Sequence, residues 1–219
     1  VPTTAPVRSL RPRPRARWAM PALRWDDHPR GPRWSVAVMA ALRGPGAPLL
    51  DVVPRDIDGW CPAYPGAGRD RRAAFWAGLI SALAWHESTH RPDAVGGGGR
   101  WFGLVQIAPG TARWRDCDVG TGQALLDGPA NLRCGVRIMA ITVPRDGVVS
   151  EGMDGVAADW GPFHSRRKRA DMRRWVRAQD YCHQPIRPRM RPDDLDAVPA
   201  AALIDIPRPV ARPAGLARR

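Results

Sequence analysis

The sequence predicts a mainly α-helical domain with at most a small β-hairpin, set between Arg/Pro-rich ends. Three features carry that expectation: apolar residues at helical spacing through the middle of the chain, prolines crowded into both ends, and cysteines near both limits of the middle segment. With 219 residues, 44% of them hydrophobic, the chain has room for one ordinary domain plus extensions.

At the N-terminal end, Arg and Pro alternate from Arg11 to Arg15, and Gly44 to Pro48 forms a second interruption. At the C-terminal end, Pro185, Pro188, Pro192, Pro207, Pro209 and Pro213 do the same. Proline removes a backbone donor and clashes with the preceding turn, so neither end is expected to hold a long helix. The boundaries that follow are 1–54 for an N-terminal extension, 55–183 for the domain and 184–219 for a C-terminal tail.

Charge follows the same division. The chain has 34 Lys+Arg against 21 Asp+Glu, a net +13, and Lys168 is its only lysine. The first fifty residues carry nine arginines against Asp26 and Asp27, so much of the excess sits in what reads as solvated extension. Basic ends of this kind attract nucleic acid or an anionic envelope surface without distinguishing them. No apolar run approaches the roughly 18 residues of a membrane span, and Trp34 to Leu42 is too short. The chain starts at Val1, so a targeting segment is not readable from it.

Within the domain the strongest helix starts near Asp70, a suitable N-cap, and runs to Ser88–His90, where Pro92 ends it. Trp76, Ile80, Leu83 and Glu87 recur at intervals of four, three and four, and so share one stripe. Gly96 to Gly99 is a flexible stretch, and the hairpin falls at 93–107. Further helices are expected over Pro109–Trp114, Pro129–Ile141, Val156–Trp160 and Arg169–Tyr181.

The cysteines lack Cys-x-x-Cys spacing, which argues against a zinc ribbon or a thioredoxin motif. An even number suits two disulfides in an oxidising compartment. Three pairings are open; Cys61–Cys182 with Cys117–Cys134 is expected, because the first ties the domain ends and the second pins a loop to the Asn131 helix. Four buried free thiols in a cytosolic protein are the alternative.

The chain has only two glutamates, Glu87 and Glu151. A carboxyl ending an apolar stripe, near Trp85 and Trp76, is expected to lose hydration, which raises its pKa and suits it to protonate a glycosidic oxygen. Asp159 offers a second carboxylate, or an ordinary helix-end residue.

Three segments in order, Ala84-Trp-His-Glu-Ser-Thr-His-Arg-Pro-Asp-Ala94, Gly103-Leu-Val-Gln-Ile-Ala-Pro-Gly-Thr-Ala112 and Asn131-Leu-Arg-Cys-Gly135, resemble the soluble lytic transglycosylase family. The resemblance implies a lysozyme-like fold and a peptidoglycan lytic transglycosylase. Glu87 would be acid and then base, cutting the MurNAc-GlcNAc bond to leave 1,6-anhydro ends. Ser88 would orient Glu87 or the substrate, Gly103 and Gln106 would line the cleft, and Asn131 would support it. Where the family has an Ala-Tyr-Asn-Ala-Gly-like segment this chain has Ala157-Ala-Asp-Trp-Gly-Pro162, so Asp159 or Trp160 takes the place of the tyrosine. Trp101, beside the glycines, is the candidate sugar platform.

The implied partner is the glycan strand, with envelope proteins as possible recruiters and no stable nucleic-acid complex; no cofactor and no metal are implied, and the expected location is exported, periplasmic or cell-envelope. Three other readings stay open: a water-using muramidase, a catalytically inactive cell-wall or nucleic-acid binding module, and a zinc protease. The last rests on His86-Glu87-Ser88-Thr89-His90, a literal H-E-x-x-H, with His164 or Glu151 as third ligand. Against it, the helix must run through both histidines although Pro92 follows closely. The basic run Arg166 to Arg169 reads as a solvated helix start.

Overall fold

The computed structural model describes residues 20–183; segments 1–19 and 184–219, and with them the expected tail, lie outside the described residues. Among the described residues seven α-helices occur in the order α1 (Gly31–Arg43), α2 (Pro48–Asp51), α3 (Arg69–Ser88), α4 (Pro109–Trp114), α5 (Gly122–Leu125), α6 (Gly128–Asp146) and α7 (Arg166–Arg177). Two antiparallel pairs of two-residue strands join them: β1 (Val95–Gly96) with β2 (Trp101–Phe102), and β3 (Ser150–Glu151) with β4 (Asp154–Gly155). The mainly α expectation holds, with one more miniature strand pair than expected.

α3 is the centre. Every residue from Ala73 to Ala84 is buried, so the helix is apolar all round rather than along one stripe, as befits a helix enclosed by its neighbours. α1, α6 and α7 pack against it. It starts at Arg69 behind Gly68 rather than at an Asp70 cap, and ends at Ser88, with Thr89 in the left-handed conformation at φ 51°.

The expectation that the first fifty residues hold no long helix is corrected. α1 is 13 residues long, with a proline in its first turn, where no backbone donor is needed and the fixed φ suits a helix start. Pro48 opens α2 in the same way. The apolar run 34–42 supplies the buried face of α1, with Trp34, Val38, Met39, Ala41 and Leu42 in the same core cluster as α3. Ahead of it, Leu23 and Trp25 are buried too; the Trp25 indole donates to Ser35 Oγ at 2.9 Å and meets Trp34 edge-on at 5.8 Å. Residues 20–54 therefore pack as part of the helical core.

α6 begins on Asp127, whose carboxylate accepts from Ala130 N at 2.9 Å, a side-chain N-cap. α7 begins at Arg166 on Ser165, earlier than the pattern indicated, because Ser165 caps Lys168 N; its last turn is Arg177 and a separate 3-10 turn carries Tyr181. Val156–Ala158 is 3-10 rather than α.

Both expected disulfides are present, Cys61–Cys182 and Cys117–Cys134. The first closes 121 residues and the second 17. In the chain-entropy account, loops of these sizes stabilise by about 5 and about 3 kcal/mol. Replacing both cysteines of the first pair by alanine is expected to lower unfolding free energy more than doing so for the second. Urea melts of the two double variants and the parent measure the difference; equal losses would show that native packing, not loop closure, sets the effect.

Candidate active site

Glu87 stands in the last turn of α3 and faces a cavity of about 350 Å³ that it shares with Trp101, Gln106, Asp159, Trp160 and Lys168. Burial pushes its pKa from 4.5 up to about 7, with the Lys168 charge pulling weakly the other way. The tryptophans that wall it are not those anticipated. Trp85 is 42% exposed on another side of the helix, and Trp76 lies about 16 Å down the helix axis at 1.5 Å per residue. Trp160, 3% exposed, and the cleft-edge Trp101 take their place.

The segment Phe102–Ile107 crosses the end of α3 as a tight turn, and the fold fixes it from three sides. Asn131, fully buried on α6, accepts from Val105 N and donates to Phe102 O, both at 2.9 Å. Trp160 Nε1 donates to Val105 O at 2.8 Å. Ser88 Oγ lies 3.1 Å from Ala84 O and 2.8 Å from Leu104 O. Its one hydroxyl hydrogen thus serves the backbone, and Ser88 ties helix to turn rather than facing the cavity.

Gly103 has φ +79°, and a Cβ there would meet Leu125 O at 2.2 Å and Asn131 Nδ2 at 2.5 Å. The glycine is required by packing against α5 and α6. Gln106 donates through Nε2 to Ala94 O at 3.1 Å and Gly103 O at 2.9 Å. With the amide nitrogen so engaged, its oxygen is the group left to accept. Trp101 lies over Gly97, with the Arg100 guanidinium 4.8 Å from its ring.

Asp159 lines the same cavity but is clasped by Arg115, whose Nη2 lies 3.3 Å from both carboxylate oxygens; the side chains are 12% and 8% exposed. The two cleft carboxyls therefore differ in environment, Glu87 in an apolar wall and Asp159 on a buried guanidinium.

The zinc-protease reading is overturned by geometry. α3 ends at Ser88, and Thr89 and His90 both have positive φ, so the two histidines are not one helical turn apart. His86 Nε2 pairs with Asp171 at 2.8 Å, while His90 is buried with Nε2 on Ser81 O at 2.9 Å. Of the proposed third ligands, His164 bonds Ala157 O and Glu151 pairs with Arg55. Burial lowers the pKa of His86 and of His90, and both serve as structural partners.

Lys168 is the cleft residue that sequence reasoning missed. Its signal was present, since it is the only lysine among 34 basic residues, but its place in a basic run hid it.

Comparisons with known proteins bear on the chain as follows. Residues 68–147 match the family model described as the transglycosylase SLT domain. Among solved structures, one glutamate-to-glutamine mutant of Bd0314 DslA is similar at TM-score 0.68 and 27% identity, and a second at 0.67 and 27%; each comparison covers 77% of this chain and 100% of that one. The wild-type form 2 of Bd0314 DslA follows at 0.64 and 26%, over 75% of this chain and 100% of that one. No curated protein matches.

Folding raises the pKa of Glu87 from 4.5 to about 7, so between those pH values the folded chain holds more protons than the unfolded one. Stability must then fall as pH rises through that window, and the full cost is present above it. Glu87→Gln removes the ionisation and is expected to stabilise the fold at pH 8, by on the order of 2 kcal/mol, and hardly at pH 4. Denaturant melts at the two pH values check this; the same increment at both would place Glu87 in water.

Proposed function

From a chain that carries the transglycosylase SLT domain of the peptidoglycan lytic transglycosylases over residues 68–147, we propose that Glu87 alone does the acid and base work and that the product ends in 1,6-anhydro-MurNAc. The observation that carries this reading is the contrast between the two cleft carboxyls. A pKa near 7 keeps Glu87 able both to give and to take a proton at neutral pH. Asp159 is neutralised by its guanidinium partner and is poorly placed to activate a water.

In the first step Glu87 gives its proton to the glycosidic oxygen as the C1–O bond breaks, and the GlcNAc leaves with a new 4-hydroxyl. The N-acetyl carbonyl of the MurNAc covers the carbon left electron-poor. In the second, the ionised Glu87 takes the proton of the same sugar's 6-hydroxyl, whose oxygen closes on C1. The carboxyl is again protonated and no water is consumed. Trp101 offers an exposed ring for a sugar face, the Gln106 oxygen an acceptor for an N-acetyl N–H, and the Asn131 and Ser88 bonds hold the turn that presents them.

The muramidase reading keeps one specific support, the presence of Asp159 in the same cavity. The two disulfides favour an oxidising compartment, and the substrate lies in the cell wall, so export to the envelope completes the proposal. No helix among the described residues is long and apolar enough to cross a membrane.

Purified sacculi digested with the protein are expected to release muropeptides lighter by one water than hydrolytic products, as read by mass. Glu87→Gln is expected to lower the rate by at least about a thousandfold, Asp159→Asn by about tenfold or less, and EDTA not at all. Hydrated reducing ends with equal losses in both variants would establish the muramidase instead.

A further inference from the structure

Among the described residues Arg115 is the only buried arginine, 7% exposed, and four contacts hold it in place. It follows the last turn of α4, with its N–H on Thr111 O at 2.9 Å. Its carbonyl accepts from Arg137 Nε of α6 at 2.5 Å. The Trp114 ring lies 4.0 Å from its guanidinium carbon, so an otherwise exposed indole covers the cation. Two residues on, Cys117 ties the same loop to Cys134 of α6.

The guanidinium so fixed has one target. Asp159 is the only carboxylate within 4.0 Å of it among the described residues, with Nη2 3.3 Å from each carboxylate oxygen. Asp159 is also the only carboxyl that shares the lining of the cleft with Glu87. A second carboxylate in a glycan cleft is the group that can take a proton from water as the water adds to the sugar. Pairing with Arg115 opposes that role. A carboxylate that takes a proton loses its charge, which here would strand a cation whose side chain is 8% exposed, and a buried charge deprived of its partner is costly. Water activation at Asp159 carries that cost, whereas closure of the sugar's own 6-hydroxyl on C1, with its proton passing to Glu87, does not.

We propose that Arg115 is a positioning residue that sets the product: by holding Asp159 as a paired anion it withholds a base from water and leaves the 6-hydroxyl to close on C1. This rests on the reading of Glu87 as the acid and base of a transglycosylase. Without the guanidinium a second course opens. Glu87 again protonates the leaving 4-oxygen as the C1–O bond breaks. The oxygen of a water then bonds to C1, its proton passes to Asp159 and on to solvent, and Glu87 regains its proton from solvent. The end so formed is a reducing MurNAc, heavier by one water than the anhydro end.

The test is digestion of purified sacculi by the full chain and its Arg115 variants, with the two kinds of end counted by mass. Arg115→Met is expected to raise the ratio of hydrated to anhydro ends by about tenfold or more, while Arg115→Lys, which keeps the charge, should stay near the parental ratio. Adding Asp159→Asn to Arg115→Met should restore that ratio, because the base that the first substitution released is then gone. If Arg115→Met does not fold, Arg115→Gln, uncharged but still able to donate to Asp159, carries the same expectation. A parental ratio in a folded Arg115→Met or Arg115→Gln chain, whatever its rate, would make Arg115 a structural residue and overturn the proposal, as would hydrated ends that persist in the double variant. Hydrated ends from the parent itself would remove the transglycosylase reading, whereas anhydro ends from parent and variant alike would remove this inference alone.

Discussion

The structure is organised by the need to end α3 inside the protein. A helix terminus leaves carbonyls without partners, and a buried one must find them locally. Thr89 turns left-handed so that its own N–H reaches Trp85 O and the next one, of His90, reaches Ala84 O; the Ser88 hydroxyl bridges Ala84 O and Leu104 O; Asn131 then holds both ends of the turn that Leu104 belongs to. Helix end, turn and α6 become one hydrogen-bonded body, and Glu87 sits at the point where they meet. The surrounding helices bury α3 on every side from Ala73 to Ala84, and its last turn emerges only at Trp85.

That enclosure also separates the roles of two chemically similar groups. A carboxyl loses several kcal/mol of hydration on transfer to an apolar site unless a charge or donors replace it. Asp159 receives such a replacement from Arg115 at 3.3 Å. Glu87 has only the weaker field of Lys168 across the cavity, and its proton affinity rises accordingly. Removing Arg115 would leave Asp159 buried without its charge partner, so this arginine is what makes the environments of the two carboxyls differ.

What the sequence disclosed and concealed divides along physical lines. Helical periodicity marked α3 and α6, and the Glu87, Gly103, Gln106 and Asn131 segments were found because their residue types recur in a known order. Their packing duties are not visible in one dimension, where nothing tells that Ser88 ties helix to turn or that Gly103 packs against Leu125 and Asn131. Prolines mislead at the N-terminal end: the Gly44–Pro48 stretch reads as an interruption, yet Pro48, like Pro32, stands in a first turn and starts a helix. Lys168 was hidden because a basic run on a helix is ordinarily solvated, and only the contact of α7 with α3 turns one of its members toward Glu87. The H-E-x-x-H match failed for the converse reason, because a pattern of letters assumes a helix that Thr89 has already ended.

The residues with unusual backbone conformations draw these points together. Thr89, His90 and Gln106 are three of the four non-glycine residues with positive φ among those described; Gln106 lines the cleft, and Thr89 and His90 directly follow the helix turn that carries Glu87. Each such residue costs on the order of 1–3 kcal/mol, so glycine would be the cheaper choice unless the side chain is needed. For each the need is evident. Thr89 bonds Ser88 O through Oγ1, Gln106 ties Ala94 O to Gly103 O, and His90 fills the space under the helix end, bonded to Ser81 O and edge-on to Trp25 and Trp85. The His90 contact with Trp25 reaches the segment before α1, so residues far from the cleft in sequence brace the turn that bears Glu87. A carboxyl whose acidity is set by burial keeps that acidity only while its walls do not move, and the side-chain bonds that hold these three strained positions serve that end.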